Sequence, residues 1–154
     1  VRTVLNSGNV VFTMPGSSVG TAARRIATGV ATTLGVSSAV TVVSLEALAV
    51  QVRREPFAGT GRDASRLLVL MCRDTPSAKR LDVLARRDWG EEELSVDGTF
   101  GCAWCPQGIA SSALWKAINA ELGDGVTARN RATIDRILRG ASVPSMIDRG
   151  PGGR

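Results

Sequence analysis

Apolar and polar positions fall into short blocks along this chain, and the period of the pattern changes from block to block. Val1 to Thr13 reads VRTVLNSGNVVFT, two apolar runs around the polar cluster Asn6-Ser7-Gly8-Asn9. Runs rich in Val, Thr, Leu and Phe about such a cluster predict a β-hairpin. Met14-Pro15-Gly16-Ser17 closes it. Val19, Ala22, Ala23, Ile26, Val30 and Leu34 then recur at helical spacing, with Ser17 or Ser18 as N-cap and Gly35 as stop. Ala39 to Val43 is continuously apolar and is expected to be a short strand. Ser44 caps a second helix that turns Leu45, Leu48, Ala49 and Val52 inward and ends before Pro56.

The pattern then restarts. Leu67 to Cys72 is an unbroken apolar run, the mark of a strand buried on both faces. Thr75 or Ser77 opens a helix through Ala78, Leu81, Leu84 and Ala85. Glu91-Glu92-Glu93 reads as a solvated loop. Leu94–Asp97 and Thr99–Cys105 form a second hairpin about Asp97-Gly98. Ser111 or Ser112 caps a helix carrying Leu114, Ala117, Ile118 and Leu122. Val126 to Ala128 is a brief strand, and Asn130 caps a last helix through Thr133, Ile134, Ile137 and Leu138. Ser142 to Arg154, rich in Gly, Pro and Arg, is expected to be a disordered tail.

Set side by side, the two stretches repeat one another. The second runs strand, helix, hairpin, helix, strand, helix, the βαββαβ plan of the ferredoxin-like fold with an added helix. The first matches it except for the opening strand and helix. The expected fold class is therefore α+β with duplicated ferredoxin-like halves, the first lacking its opening strand and helix. The boundaries are 1–58 for the first half, 59–65 for a linker, 66–140 for the second half and 141–154 for the tail. The symmetry leads us to expect roughly 30 to 40 further residues ahead of Val1, the length of a strand and helix. Without them the first hairpin shows an exposed edge, through which a homodimer is expected.

Composition narrows the chemistry. The chain has 154 residues and no His or Tyr, which removes Ser-His-Asp and Cys-His nucleophiles and His-ligated metal sites. Acid–base chemistry would fall to carboxylates, Cys, Lys79 or Lys116. The net charge is +5, and all cations but those two lysines are Arg. They are scattered, as on solvated faces, so charge alone does not point to nucleic acid. Only three Phe and three Trp are present, with no aromatic strand on which bases could stack, so nucleic acid is not the expected partner. No apolar run approaches the roughly 18 residues of a membrane span, and no basic stretch leads into an apolar one as in a signal peptide. We expect a cytoplasmic protein without a membrane partner.

Three motifs are weighed and set aside. Gly59-Thr60-Gly61-Arg62-Asp63-Ala64 has the spacing of a dinucleotide-binding turn but precedes a strand where it should follow one. Cys102-Ala103-Trp104-Cys105 has redox spacing but lies near the end of a strand, where residues three apart face opposite ways. A zinc site would lack ligands, with Cys72 the one remaining Cys. No metal or other cofactor is expected.

Residues along the chain resemble one uncharacterised bacterial family, catalogued as domain of unknown function 1697. VRTVLNSGNVVF is similar to its VRTYLQSGNVVF signature. Glu55-Pro56-Phe57 stands where the family has Asn-Pro-Phe. Trp104-Cys105-Pro106-Gln107-Gly108 with Ser112-Ala113-Leu114 resembles its W-x-P-x-G-x-x-x-S-K-L. Thr127-Ala128-Arg129-Asn130 with Thr133-Ile134 resembles its T-x-R-N-W-x-T-V, with Arg131 in place of Trp. The resemblance spans about residues 1 to 138. It implies a duplicated ferredoxin-like fold and no established activity. It also implies an N-terminal strand and helix that this chain lacks. The basic residues of the family's Gly-Arg-Ser-Lys-Leu are absent from Ala110 to Leu114.

The expected role is a non-catalytic module that binds a small anionic ligand or a partner. Ser7 and Asn9 sit in the hairpin turn. Ser112 and Asn130 cap helices whose N-termini offer free N–H groups, and Arg129 adjoins one of them. These five residues are the candidate site, in a cleft between the halves. The commoner role of each is turn formation or helix capping. An enzyme using carboxylate or thiol chemistry in that cleft is the alternative, and weak nucleic-acid binding a further one.

Overall fold

The computed structural model describes residues 2–4, 8–57 and 59–141, with the backbone alone for 2–4. It is a mixed α+β structure with five α-helices and two antiparallel sheets among those residues. The first hairpin is β1 (Arg2–Val4) against β2 (Asn9–Val11), with Val4 opposite Asn9. The helix α1 (Val19–Leu34) follows, with Ser18 accepting from the Thr21 N–H and Gly35 ending it in the left-handed region at φ 67°. Next comes α2 (Leu45–Arg53), N-capped by Ser44.

The second sheet holds β3 (Leu67–Cys72), β4 (Glu93–Asp97), β5 (Phe100–Trp104) and β6 (Val126–Asn130) in the order β4-β5-β3-β6, every pair antiparallel. Between them run α3 (Thr75–Ala85) and α4 (Ala113–Leu122), and α5 (Arg131–Ala141) follows β6. All six residues of β3 are buried. Its parity divides the core. Leu68, Leu70 and Cys72 pack with Leu81 and Leu84 of α3 and Leu114, Ile118 and Leu122 of α4. Val69 and Met71, on the other face, pack with Leu48 of α2 and Ile134 and Ile137 of α5. Helices thus cover both sides of the central strand, which is why its sequence shows no alternation.

The structure departs from the sequence pattern in four places. Ala39–Val43 is not a strand: no neighbouring strand pairs with it, and its backbone makes no hydrogen bond among the described residues. An apolar run has the side chains for a strand, but a strand also needs an edge to pair with. The cap of α3 is Asp74, whose carboxylate accepts from the Ser77 N–H at 2.8 Å. Hydrogen bonds from Ser77 hold the Asp74 carboxyl below the usual carboxylate range. The second turn comprises Gly98-Thr99, one residue later than expected, with Gly98 supplying the positive φ (59°) that tight hairpins require. The acidic run is not simply solvated. Glu92 accepts from the Leu114 N–H at 2.9 Å, and Glu93 pairs with Arg62. The turn residues Asn6 and Ser7 and the expected tail from Ser142 lie outside the described residues.

Gly125, in the 3-10 turn that leads into β6, shows how closely this half is packed. A Cβ there would stand 2.5 Å from the Oγ of the buried Ser77. Gly125→Ala should cost about 1–3 kcal/mol through overpacking, read as a lower urea midpoint at unchanged m-value.

Candidate functional site

Residues 8–57 enclose far less than residues 66–140. Of the sixteen residues of α1 only Ala22 is buried, and Val19 and Leu34 are 48% and 68% exposed. Beneath α1 lies a cavity of about 770 Å³, open on one side to solvent. Its walls are β2 with the residues that continue it to Met14, the extended stretch Ser38–Leu45, and Ala22 and Ile26 of α1. Its floor is Leu48, Met71, Ile134 and Ile137. Asp124, Thr127 and Arg129 also line it. Open to solvent and lined by polar as well as apolar groups, a space of this size is wet or occupied.

Arg129 is the one cation that lines this cavity among the described residues, and Asp124 the one carboxylate. Even-numbered Leu68 and Leu70 of β3 face α3 and α4, and Arg129, opposite Val69, takes the other face. Its Nε donates to Asn9 Oδ1 at 2.7 Å, which ties β6 to the start of β2. Its Nη1 donates to Thr127 Oγ1 at 3.1 Å and to the Ala128 carbonyl at 2.7 Å. Among the described residues Nη2 has no acceptor, and the guanidinium forms no salt bridge. The result is a half-buried cation, oriented by three hydrogen bonds, whose remaining donors are unspent.

Two of the five candidate residues, Asn9 and Arg129, are therefore brought together. Ser112 is not with them. It is buried under α4 on the opposite side of the sheet, accepting from the Trp115 N–H at 2.8 Å and from the Cys105 thiol at 3.4 Å. The neighbouring Leu114 N–H already points at Glu92. The end of α4 thus holds one of the chain's own carboxylates where a ligand anion would sit. Asn130 caps α5 by accepting from the Thr133 N–H at 2.8 Å. Ser7 lies outside the described residues.

The three thiols are free and buried. Cys102 lies opposite Val69 and packs with Phe57 and Leu67, whereas Cys105 joins the core under α3 and α4. The Cys-x-x-Cys sulfurs thus occupy opposite faces of the sheet. Burial, with the Asp74 charge adding to it, pushes the Cys72 thiol up to about 11. Burial alone pushes Cys102 up to about 12, and burial also raises Cys105. A thiol near 12 is only about 10⁻⁴ ionised at pH 8, against roughly a quarter for an unfolded thiol. Native Cys102 should react with an aromatic disulfide at least ~10³-fold more slowly than the urea-unfolded chain. These thiols keep their protons to higher pH when folded. Their contribution to stability is full below the unfolded value near 8.5 and is lost as pH rises toward 11–12.

Two contacts that no spacing in the sequence announced tie the stretch from Glu55 to Arg62 to later parts of the chain. Arg62, in the expected linker, lies between the Phe57 and Trp104 rings, 4.7 and 4.9 Å from their centroids. Its Nη2 donates to Glu93 at 2.5 Å. Glu55, buried at the end of α2, receives a hydrogen bond from Arg131 of α5, which also donates to Asp135 at 3.0 Å. Glu55 Oε1 is buried with no partner among the described residues.

No cluster of three or more metal-ligating side chains occurs among the described residues, and no described helix is long and apolar enough to cross a membrane. No curated protein and no solved structure matches the chain. One family model does, over residues 1–100, which takes in the first half and the second as far as the start of β5. The motifs at Trp104–Leu114 and Thr127–Ile134 lie beyond the matched span. The opening VRTVLNSGNVVF and Glu55-Pro56-Phe57 lie within it, and the chain belongs to the family described as Protein of unknown function (DUF1697).

Proposed function

We propose that this protein is a non-catalytic binding module whose ligand site is the cavity under α1, and that its ligand carries an anionic group for Arg129. One observation carries the reading. Arg129 lines a cavity of mixed apolar and polar walls, fixed by three hydrogen bonds, with no salt bridge and with Nη2 unspent among the described residues. A cation held in a partly desolvated place attracts a carboxylate or phosphate more strongly than one in bulk water. Asn9 and Arg129 are the site residues we retain. Ser112 and Asn130 have their side chains committed to helix caps. The thiols, buried and held protonated, give no support to a thiol enzyme.

The same reading treats residues 66–140 as a ferredoxin-like half. The support is the order β4-β5-β3-β6, all antiparallel, with α3 and α4 on one face. Residues 1–58 are read as a partial copy of it and 59–65 as the linker that carries Arg62.

Titration with octanoate and with inorganic phosphate, followed by ¹H–¹⁵N NMR, tests the anion site. A saturable shift of the Arg129 Nε–H and the Asn9 backbone amide is expected. Arg129→Ala should weaken that binding at least tenfold while leaving the unfolding free energy in urea within about 1 kcal/mol of the parent, as for a half-exposed polar group. Equal affinity in Arg129→Ala, or no saturable shift, rejects the site.

A further inference from the structure

β4 ends the second sheet at the edge opposite β6, the strand that carries Arg129. It pairs with β5 on one side and with no strand on the other among the described residues. The phase of the ladder says which of its backbone groups are left over. The Thr99 carbonyl accepts from the Cys72 N–H at 2.8 Å, and the Cys105 N–H donates to the Arg66 carbonyl at 3.0 Å. Alternate residues from Thr99 to Cys105 therefore bond toward β3, and Phe100, Cys102 and Trp104 bond toward β4. Their partners across β4 are Asp97, Ser95 and Glu93. The N–H and carbonyl of Leu94 and of Val96 point the other way. Neither residue has a backbone hydrogen bond to another element among the described residues.

Two side-chain surfaces flank this open edge. Leu94 and Val96 pack on the core beneath α3. Beside Val96 runs a groove of about 470 Å³ whose α3 wall includes Ala78, Lys79, Asp82, Val83 and Arg86. Val83 is 55% exposed there, and Asp82 and Arg86 pair with each other at 2.6 Å. On the other face stand Glu93 and Asp97. Each carboxylate meets an arginine through one oxygen, Arg62 for Glu93 and Arg54 for Asp97, and its second oxygen has no partner among the described residues.

We infer that the open edge of β4 docks an extended segment of a different protein, apolar where it faces the α3 groove and basic on its other face. A strand laid antiparallel exchanges main-chain hydrogen bonds with Leu94 and Val96, as in strand addition generally. Its residues opposite Leu94 and Val96 turn toward α3, where Val83, Val96 and the aliphatic stems of Lys79 and Arg86 offer apolar contact. Its residues opposite Glu93 and Asp97 meet the second carboxylate oxygens, and cross-strand pairing favours Lys or Arg there. The matching pattern is basic, apolar, small, apolar, basic, and those five residues span about 17 Å. A second copy of β4 is a poorer occupant. Laid antiparallel about Ser95, it sets Glu93 against Asp97 of the second copy at both ends, and like charges directly opposite are destabilising.

The probe is acetyl-Lys-Val-Thr-Val-Lys-amide, compared with acetyl-Glu-Val-Thr-Val-Glu-amide, each titrated into the intact chain and followed by ¹H–¹⁵N NMR. We expect saturable shifts and slowed exchange at the Leu94 and Val96 amides, with the basic peptide about tenfold tighter through its cross-strand charge pairs. Val96→Pro removes an outward N–H that the β4–β5 ladder does not use, and should abolish binding. Unchanged β3 and β5 resonances will show that this variant folds. Asp97→Lys, at an exposed position, keeps the main-chain edge and should narrow the preference to about threefold, half of the charge contribution. No saturable shift at the two amides, or equal affinity for the two peptides, overturns the inference. So does protection of the same amides without peptide in a concentration-dependent dimer, which would make the occupant a second copy. None of these results bears on the anion titration, whose signals are those of Arg129 and Asn9.

Discussion

Replacing Arg131 by Ala should destabilise the chain by about 3 kcal/mol, the lower end of the cost of stranding a buried charge. The Glu55 side chain is only 3% exposed, and its bonded partner is Arg131, itself 21% exposed. Without the guanidinium, a carboxylate stays behind at the junction of α2 and α5 with neither water nor countercharge. The partial exposure of Arg131 keeps the expected figure from the upper end of the range. The pair is not an efficient stabiliser even when intact, because Glu55 Oε1 has no partner among the described residues. Removing both charges should therefore cost much less than removing one. In the motifs that the sequence resembles, Asn stands at 55 and Trp at 131, two of several positions at which this chain differs from those motifs. They are 76 residues apart and in contact. Glu55→Asn combined with Arg131→Trp should come within about 1 kcal/mol of the parent in urea denaturation. A double variant as unstable as Arg131→Ala would show that the two positions are not interchangeable as a pair.

The sequence made the second half legible because each of its signals is local or relies on a neighbour that is present. The unbroken run Leu67–Cys72 indicates helices on both sides, and helices are there. Asp97-Gly98 places a hairpin to within one residue. Ala39–Val43 carries the same kind of signal and fails as a strand because pairing is a relation between two edges, and its own edge meets a cavity. The candidate site was legible in the same uneven way. Strand parity could have kept Ser112 apart from Arg129, since α4 covers the face that carries Leu68 and Leu70. The Asn9–Arg129 contact bridges 120 residues, and only the supposition of a shared cleft put the two in one group. Glu92 and Arg62 were invisible because a charge run and a polar linker give no hint of where each side chain ends.

Truncating one aliphatic side chain in each half should expose the imbalance between them, and the contrast is expected to be large. Leu70 is 0% exposed at the centre of β3, packed among α3, α4 and β5. Leu70→Ala should cost about 3–5 kcal/mol, the loss of transfer free energy plus an unfilled cavity. Ile26 lies at helical spacing from Ala22 and borders the existing cavity, so deleting its methyl groups adds little new void. Ile26→Ala should cost under about 1 kcal/mol, the range for a site that was never closely packed. Native-state hydrogen exchange should follow the same division. Amides of β3, β5 and α4 should exchange only through global unfolding, whereas those of α1 should open by a local route with a much smaller free energy. A cost for Ile26→Ala as large as that for Leu70→Ala without any ligand would mean that α1 already has the core that the cavity denies it.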